Sequence, residues 1–176
     1  MGSWVYGIKN RWVFKDRKRF PRLNSFLPLG RATINLYSYF LNHFPNDKNK
    51  TLLTDEEEQT FSYAYAQKKI AKLSQFLNKQ GIKPGDRISV QVEKSKENLF
   101  LYLASLNNGL IYHPLNTGYT NDELNFFLKD AKPALVVCDE NRKDDIKNIL
   151  SDNQYKNIFT LNKDGSGTLT DVEENL

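Results

Sequence analysis

From Ile34 to Leu161 the apolar residues recur with two spacings, near 3.6 and near 2, and the two alternate along the chain. Leu36, Tyr37, Phe40, Leu41 and Phe44 lie at helical spacing and stop at Pro45, which lacks the N–H a helix needs. Leu52-Leu53 and Thr60-Phe61 flank the acidic run from Asp55 to Glu58, which predicts a short hairpin with a solvated turn. Ser62 is placed to cap a helix whose Tyr63, Ala66, Ile70, Leu73 and Leu77 share one face. Gly81 stands where a C-cap glycine belongs, and Pro84 follows shortly.

Beyond that point the pattern becomes regular. Arg87-Ile88-Ser89-Val90-Gln91-Val92 alternates as a strand does, and Ser95 opens a helix ending near Asn107. Leu99, Leu103 and Leu106 share a face of it; Phe100, Leu101, Tyr102 and Ala104 make it apolar nearly all round, which predicts a buried helix. Gly109 closes it, and Leu110-Ile111-Tyr112-His113 is the next strand, stopped by Pro114. Thr120 and Glu123 form a capping-box pair ahead of the stripe Leu124, Phe127 and Leu128. Ala134-Leu135-Val136-Val137-Cys138 is a continuous apolar run, the mark of a strand covered on both faces. A polar helix carrying Ile146, Ile149 and Leu150 precedes a last strand at Ile158-Phe159-Thr160-Leu161. The order βαβαβαβ predicts an α/β fold, a mainly parallel sheet with flanking helices.

Composition narrows the classes. A single Cys excludes an internal disulfide framework, and one Cys with two His cannot complete a structural zinc site. Eleven Phe, nine Tyr and two Trp argue for a packed core despite a mean hydropathy of -0.62. No apolar run approaches the roughly 20 residues that span a bilayer, so no membrane partner is expected.

Charge divides the chain in two. Residues 1–33 hold eight Lys or Arg against the single Asp16, a net of +7, so the total of +4 leaves −3 for residues 34–176. This leader also carries Trp4, Tyr6, Trp12, Phe14, Phe20 and Phe26. Cations interleaved with aromatics are what single-stranded nucleic acid binding uses, and an Arg-rich, acid-poor start is also the composition of a mitochondrial transit peptide. The reading preferred over both is a disordered extension, or one upstream of the true start, attached to a cytoplasmic protein. Nucleic acid is then not the expected partner, and nucleic-acid binding through the basic leader is kept as an alternative, non-catalytic reading.

Ligands of open parallel sheets bind beyond the carboxyl ends of the strands. The residues falling there are Glu93, Lys94 and Ser95, then Asn116, Thr117 and Tyr119, then Asp139 and Glu140. Each has a plain structural role to hand: Ser95 as a cap, Glu93 and Lys94 as a solvated pair, Asp139 as the start of a helix. Gly165-Ser166-Gly167 has no Lys or Arg after it, so it is not a phosphate loop, and no G-x-G-x-x-G follows any strand. His43 and His113 stand far apart with no nucleophile expected beside them, and His113 ahead of Pro114 reads as packing. Cys138 reads as a small core residue. The run Asn162 to Glu173 approaches a calcium loop, with Asp164, Ser166, Gly167, Leu169 and Glu173 in place but Asn162 where an Asp is expected and no second hand. Calcium binding through 162–173 is thus an alternative, non-catalytic reading.

The stretch Lys83-Pro84-Gly85-Asp86-Arg87 through Ser95, with Leu103-Ala104-Ser105-Leu106 and Pro114-Leu115-Asn116-Thr117-Gly118-Tyr119 through Leu124, resembles the N-terminal region of the AMP-forming acyl-CoA synthetases. That superfamily also holds luciferases and peptide-synthetase adenylation domains. The run Asp130-Ala131-Lys132-Pro133 through Cys138 is most similar to malonyl-CoA synthetases (malonate–CoA ligases). The resemblance covers about residues 34 to 173 and takes in the Gly165–Asp171 segment, which weakens the calcium reading; the leader has no counterpart. It implies that residues 34–176 are the first part of an adenylate-forming enzyme's N-terminal domain. It further implies a reaction in which a carboxylate, here malonate, attacks the α-phosphate of ATP with magnesium, and coenzyme A then displaces AMP. In that family the phosphate loop, the adenylate-binding motifs and the C-terminal Lys lie downstream of the matched region. No catalytic, cofactor-binding or metal-binding residue is therefore assigned to this chain, and by itself it is expected to be inactive and to bind none of these ligands tightly.

Overall fold

A computed structural model describes residues 4–7, 11–14, 35–150 and 157–174. The chain divides into two compact units, 1–68 and 69–176.

The first unit is a four-stranded sheet and a short helix. Strands β1 (Trp4–Gly7) and β2 (Arg11–Phe14) pair antiparallel, and β3 (Thr51–Thr54) and β4 (Thr60–Ser62) form the expected hairpin. The sheet order is β2-β1-β3-β4, with β1 running parallel to β3. The leader, expected to be a disordered extension or one upstream of the true start, is strand at these two places. Its Trp-Val-Tyr and Trp-Val-Phe triplets combine β-branched and aromatic residues, which fit a pleated surface. The rest of the leader, 1–3, 8–10 and 15–33, lies outside the described residues. Helix α1 (Leu36–Asn42) starts at Asn35, whose Oδ1 accepts the Tyr37 N–H at 2.8 Å. The acidic turn is organised by Asp55: its Oδ1 accepts the Glu57 and Gln59 N–H groups at 3.1 and 2.8 Å, an Asx-type turn that leaves Glu58 left-handed at φ 62°. Ser62 caps α2 (Tyr63–Lys79) by accepting the Tyr65 N–H.

In the second unit α2 ends as its sequence requires. Gly81 takes φ +75° while the Ile82 N–H reaches the Leu77 carbonyl and the Gly81 N–H that of Asn78, the two bonds of a Schellman cap. The strands β5 (Arg87–Gln91), β6 (Ile111–Pro114), β7 (Leu135–Cys138) and β8 (Ile158–Thr160) form one sheet of order β6-β5-β7-β8, parallel throughout. They alternate with α3 (Lys96–Asn107), α4 (Asn121–Ala131) and α5 (Lys143–Leu150), and α6 (Thr168–Glu174) follows β8. This is the predicted α/β arrangement.

The sheet's central strands are apolar because both faces are covered: all four residues of β7 are fully buried. Leu124 and Leu128 of α4 and Ile146 and Leu150 of α5 pack with Val136 and Cys138 on one face. Phe76 of α2 meets Phe159 edge-to-face, with ring centroids 4.9 Å apart. On β6 the Ile111 and Leu115 amides donate to Asp86 and Val90, so alternation turns the nitrogen of Pro114 outward. An edge strand is where a residue without an N–H costs the ladder nothing. No described helix is long and apolar enough to cross a membrane.

Candidate functional site

The carboxyl ends of β5 to β8 bring the candidate residues into four neighbouring loops. Their polar groups are mostly spent on holding those loops. Ser95 caps α3, its Oγ accepting the Asn98 N–H at 3.1 Å. Asp139 opens a short 3-10 turn (Glu140–Arg142) by accepting the Asn141 N–H at 3.0 Å. Thr120 and Glu123 form the full capping box: Glu123 Oε2 accepts both the N–H and the hydroxyl of Thr120 at 2.8 Å, and Thr120 Oγ1 accepts the Glu123 N–H. Those two donors hold the Glu123 carboxyl below its ordinary range. Glu93, Lys94, Asn116 and Thr117 are exposed, and Asn116 Oδ1 accepts the Gly118 N–H at 2.9 Å, shaping the turn.

Side chains tie one loop to the next, and of these Gln91, Arg142 and Glu97 are not singled out by the sequence. Gln91, buried at the end of β5, donates from Nε2 to the Asn116 carbonyl at 2.9 Å. Arg142 donates from Nη2 to the Tyr119 carbonyl at 3.3 Å and to Asn121 Oδ1 at 2.8 Å, and pairs with Asp145 at 3.1 Å. Asn162 Oδ1 accepts the Glu140 N–H at 3.1 Å, joining the loop after β7 to that after β8. Glu140 is held ionised below its ordinary range by the Thr160 hydroxyl and then by Lys143. The Glu97 carboxylate, paired with Lys96 at 3.3 Å, lies so close over Gly165 that a Cβ there would stand 2.8 Å from its Cδ. That last contact closes the ring between the loop after β8 and the start of α3. A polar residue at an inward strand position, as Gln91 is, and the paired glycines 165 and 167 were the legible signals.

The turn at 162–167 is not a calcium hand. It is entered from strand β8 rather than from a helix, and α6 already begins at Thr168, the seventh position of the supposed loop. Asp164 Oδ1 accepts the Ser166 N–H and hydroxyl at 2.9 and 2.7 Å, which lowers its carboxyl below the usual range. Asn162 Nδ2 donates to Ser166 Oγ at 3.0 Å. Thr160 and Thr168 exchange bonds, each hydroxyl accepting the other's N–H at 3.0 and 2.9 Å. Among the described residues no cluster of three His, Cys, Asp or Glu has a metal-binding arrangement.

Neither histidine gains catalytic surroundings. His43 caps α1, its ring against Tyr39 and its Nδ1 at 2.8 Å from the Tyr39 carbonyl. His113 does have a hydroxyl beside it, against expectation: Ser89 Oγ lies 2.9 Å from Nδ1, because the two residues are register partners on β5 and β6. Ser89 is fully buried and His113 half-buried, so the pair ties the two strands together. Burial pushes the Cys138 thiol up to about 12, leaving it protonated and unreactive at neutral pH.

The chain matches the family of AMP-binding enzymes over residues 41–174. It is 32% identical over 94 residues to enterobactin synthase component F of Escherichia coli (strain K12), spanning 52% of this chain and 7% of that protein. Among solved structures, ATP-bound MatB from Rhodopseudomonas palustris superposes with a TM-score of 0.75 at 36% identity, covering 80% of this chain and 27% of that one. A benzoate CoA ligase from Burkholderia xenovorans LB400 shares the fold, with a TM-score of 0.67 at 14% identity over 80% of this chain and 28% of its own. The chain thus spans about a quarter of these structures and less than a tenth of the curated relative. A parallel sheet whose carboxyl-end loops are braced by their own side chains, matched over most of its length, is an adenylate-forming scaffold, and this chain belongs to the AMP-binding enzyme family.

Proposed function

We propose that this chain is the amino-terminal scaffold of an acyl-CoA synthetase that activates malonate. In that reaction a malonate carboxylate oxygen attacks the α-phosphorus of ATP, pyrophosphate leaves, and coenzyme A then displaces AMP to give the thioester, with magnesium accompanying the nucleotide. The observation that carries the reading is the 36% identity to MatB across 80% of the chain, beside the resemblance of residues 130–138 to malonyl-CoA synthetases.

The contribution of these residues is positional. The ring through Gln91, Asn116, Tyr119, Arg142, Glu140, Asn162, Gly165 and Glu97 holds the loops, while Gln91 Oε1, Glu97 Oε2 and Arg142 Nε are buried without a hydrogen-bond partner; we assign the phosphate chemistry to other residues of the enzyme. We place the protein in the cytoplasm. A second reading, an adenylation domain of a peptide synthetase, is favoured by the enterobactin synthase match, though that match covers a smaller share of this chain.

The test is an ATP–pyrophosphate exchange assay on the purified 176-residue chain and on the complete product of its gene. The chain alone is expected to show no exchange and no malonyl-CoA from ATP, malonate and coenzyme A. The complete product should exchange with malonate and not with amino acids or benzoate. Malonyl-CoA formed by the 176-residue chain overturns the scaffold role; exchange driven by an amino acid selects the second reading.

A further inference from the structure

The order β6-β5-β7-β8 places a reversal of direction at β5. From β5 the chain crosses to β6 on one side, then returns past β5 to reach β7 on the other. In open parallel sheets ligands bind outside the carboxyl ends of the strands at such a switch point. One side chain joins the loops on either side of it. Arg142, in the loop after β7, donates from Nη2 to the Tyr119 carbonyl at 3.3 Å and to Asn121 Oδ1 at 2.8 Å, while its Nη1 pairs with Asp145 at 3.1 Å. Tyr119 ends the loop after β6 and Asn121 begins α4, so the guanidinium ties together two loops whose strands are separated by β5.

We propose that Arg142 is a positioning residue of the activation reaction, fixing the loop after β6 across the carboxyl end of β5. This rests on the function proposed above. The loop is shaped by its own Asn116, whose Oδ1 accepts the Gly118 N–H at 2.9 Å and whose carbonyl accepts the Tyr119 N–H at 3.2 Å. From outside, Gln91 Nε2 holds its start at the Asn116 carbonyl and Arg142 holds its end. Asn116, Thr117 and Gly118 are left exposed between these two anchors, a tip presented on a fixed base. Arg142 Nε is buried without a hydrogen-bond partner, a desolvation cost that an apolar residue would avoid, so packing alone does not account for a guanidinium here. A planar fork serves two acceptors and a carboxylate at once; the single ammonium of a Lys does not reproduce that geometry.

The experiment uses Arg142→Lys, Arg142→Ala and Asp145→Asn, each in the 176-residue chain and in the complete product of its gene. In the chain, amide hydrogen exchange at Gly118 and Tyr119 should quicken about tenfold in both Arg142 variants, with β5 and β7 unchanged. In the complete product, malonate-driven ATP–pyrophosphate exchange should lose about tenfold in kcat in both, with KM for ATP unchanged. Asp145→Asn leaves the bonds to Tyr119 and Asn121 in place and should stay within about threefold of the unaltered protein in both measurements. An Arg142→Lys variant that behaves like the unaltered protein overturns the proposal, because charge alone would then suffice. Unchanged amides at Gly118 and Tyr119 overturn it too, as do loosened amides with an unchanged kcat. If malonate drives no exchange, the substrate proposed above fails, and kcat with the acid that does drive it still decides the role of Arg142. Should Arg142→Ala fail to fold, Arg142→Lys is sufficient.

Discussion

The first unit's sheet is assembled from two hairpins, β1–β2 and β3–β4, each closed by a connection of a few residues, and only the β1–β3 pairing reaches far along the chain. Every pairing in the second unit is long-range: Arg87 faces Ile111, Ile88 faces Leu135, and Val136 faces Ile158. Hairpins satisfy their backbone locally and leave edges. Parallel strands need a helix between each pair, and those helices bury the sheet on both faces. The second unit can therefore carry a fully apolar strand such as β7, and its crossovers deliver four loops to one end, where they can be tied together. The first unit joins its two hairpins through the single parallel pairing of β1 with β3. An enzyme scaffold that must hold loops in register is better served by the parallel arrangement, because the loops of its central strands β5 and β7 are anchored by buried strands behind them.

Independence of the two sheets is open to direct attack by cavity formation. Phe76→Ala, which removes a fully buried ring lying edge-to-face on Phe159, should destabilise the second unit by about 4 kcal/mol. Leu53→Ala should cost the first unit about 3 kcal/mol. Hydrogen exchange in each sheet reads the two effects separately, with β5 and β7 affected by the first change and β3 by the second. If either substitution accelerates exchange equally in both sheets, the units unfold as one and the contrast drawn between them fails.

Gly167→Ala should be next in size, at about 3 kcal/mol, because φ is +133° and the new Cβ would lie 2.4 Å from the Thr160 carbonyl oxygen. Denaturant unfolding followed by the exposure of Cys138 to a thiol reagent reports this in the second unit alone, since the native thiol is buried and protonated. A variant with unchanged midpoint would show that the turn after β8 is not braced as described.

The smallest expected effects belong to the α4 cap. Thr120→Ala should lose about 1 kcal/mol, measured by thermal or denaturant unfolding. Its partner Glu123 has a folded pKa below the ordinary 4.5, so its contribution is complete above that value and is lost as pH falls through the lowered one. Glu123→Gln should therefore flatten part of the acid side of the stability profile. An unaltered acid limb would mean that the capping box does not persist in solution.

The alternation of apolar periods was enough to read β3 to β8 and α1 to α5 from the chain, because each local signal agrees with its neighbours: Ser62, Ser95 and Thr120 do cap, and Gly81 does close a helix in the left-handed region. The strands β1 and β2 are not predicted although Trp4-Val5-Tyr6 and Trp12-Val13-Phe14 are strong strand formers, because the positive charge around them is also the composition of a disordered extension. The calcium-like spacing at 162–173 stays an alternative in the sequence because side-chain type and interval are the same in a hand and in a turn that bonds to itself; the bonds within the turn and the early start of α6 distinguish them.

What the sequence by itself determined was the periodicity of each element, its caps and its turns, for these depend on residues within a few positions of one another. It also carried the family, through motifs that are scaffold. Tertiary structure alone decided which polar side chains meet. Gln91 with Asn116, Arg142 with Tyr119, Asn162 with Glu140, Glu97 with Gly165 and Ser89 with His113 are each separated by more than twenty residues, and no local rule brings such groups together. Their contact follows from strand order and register, which are set by burying both faces of one sheet at once.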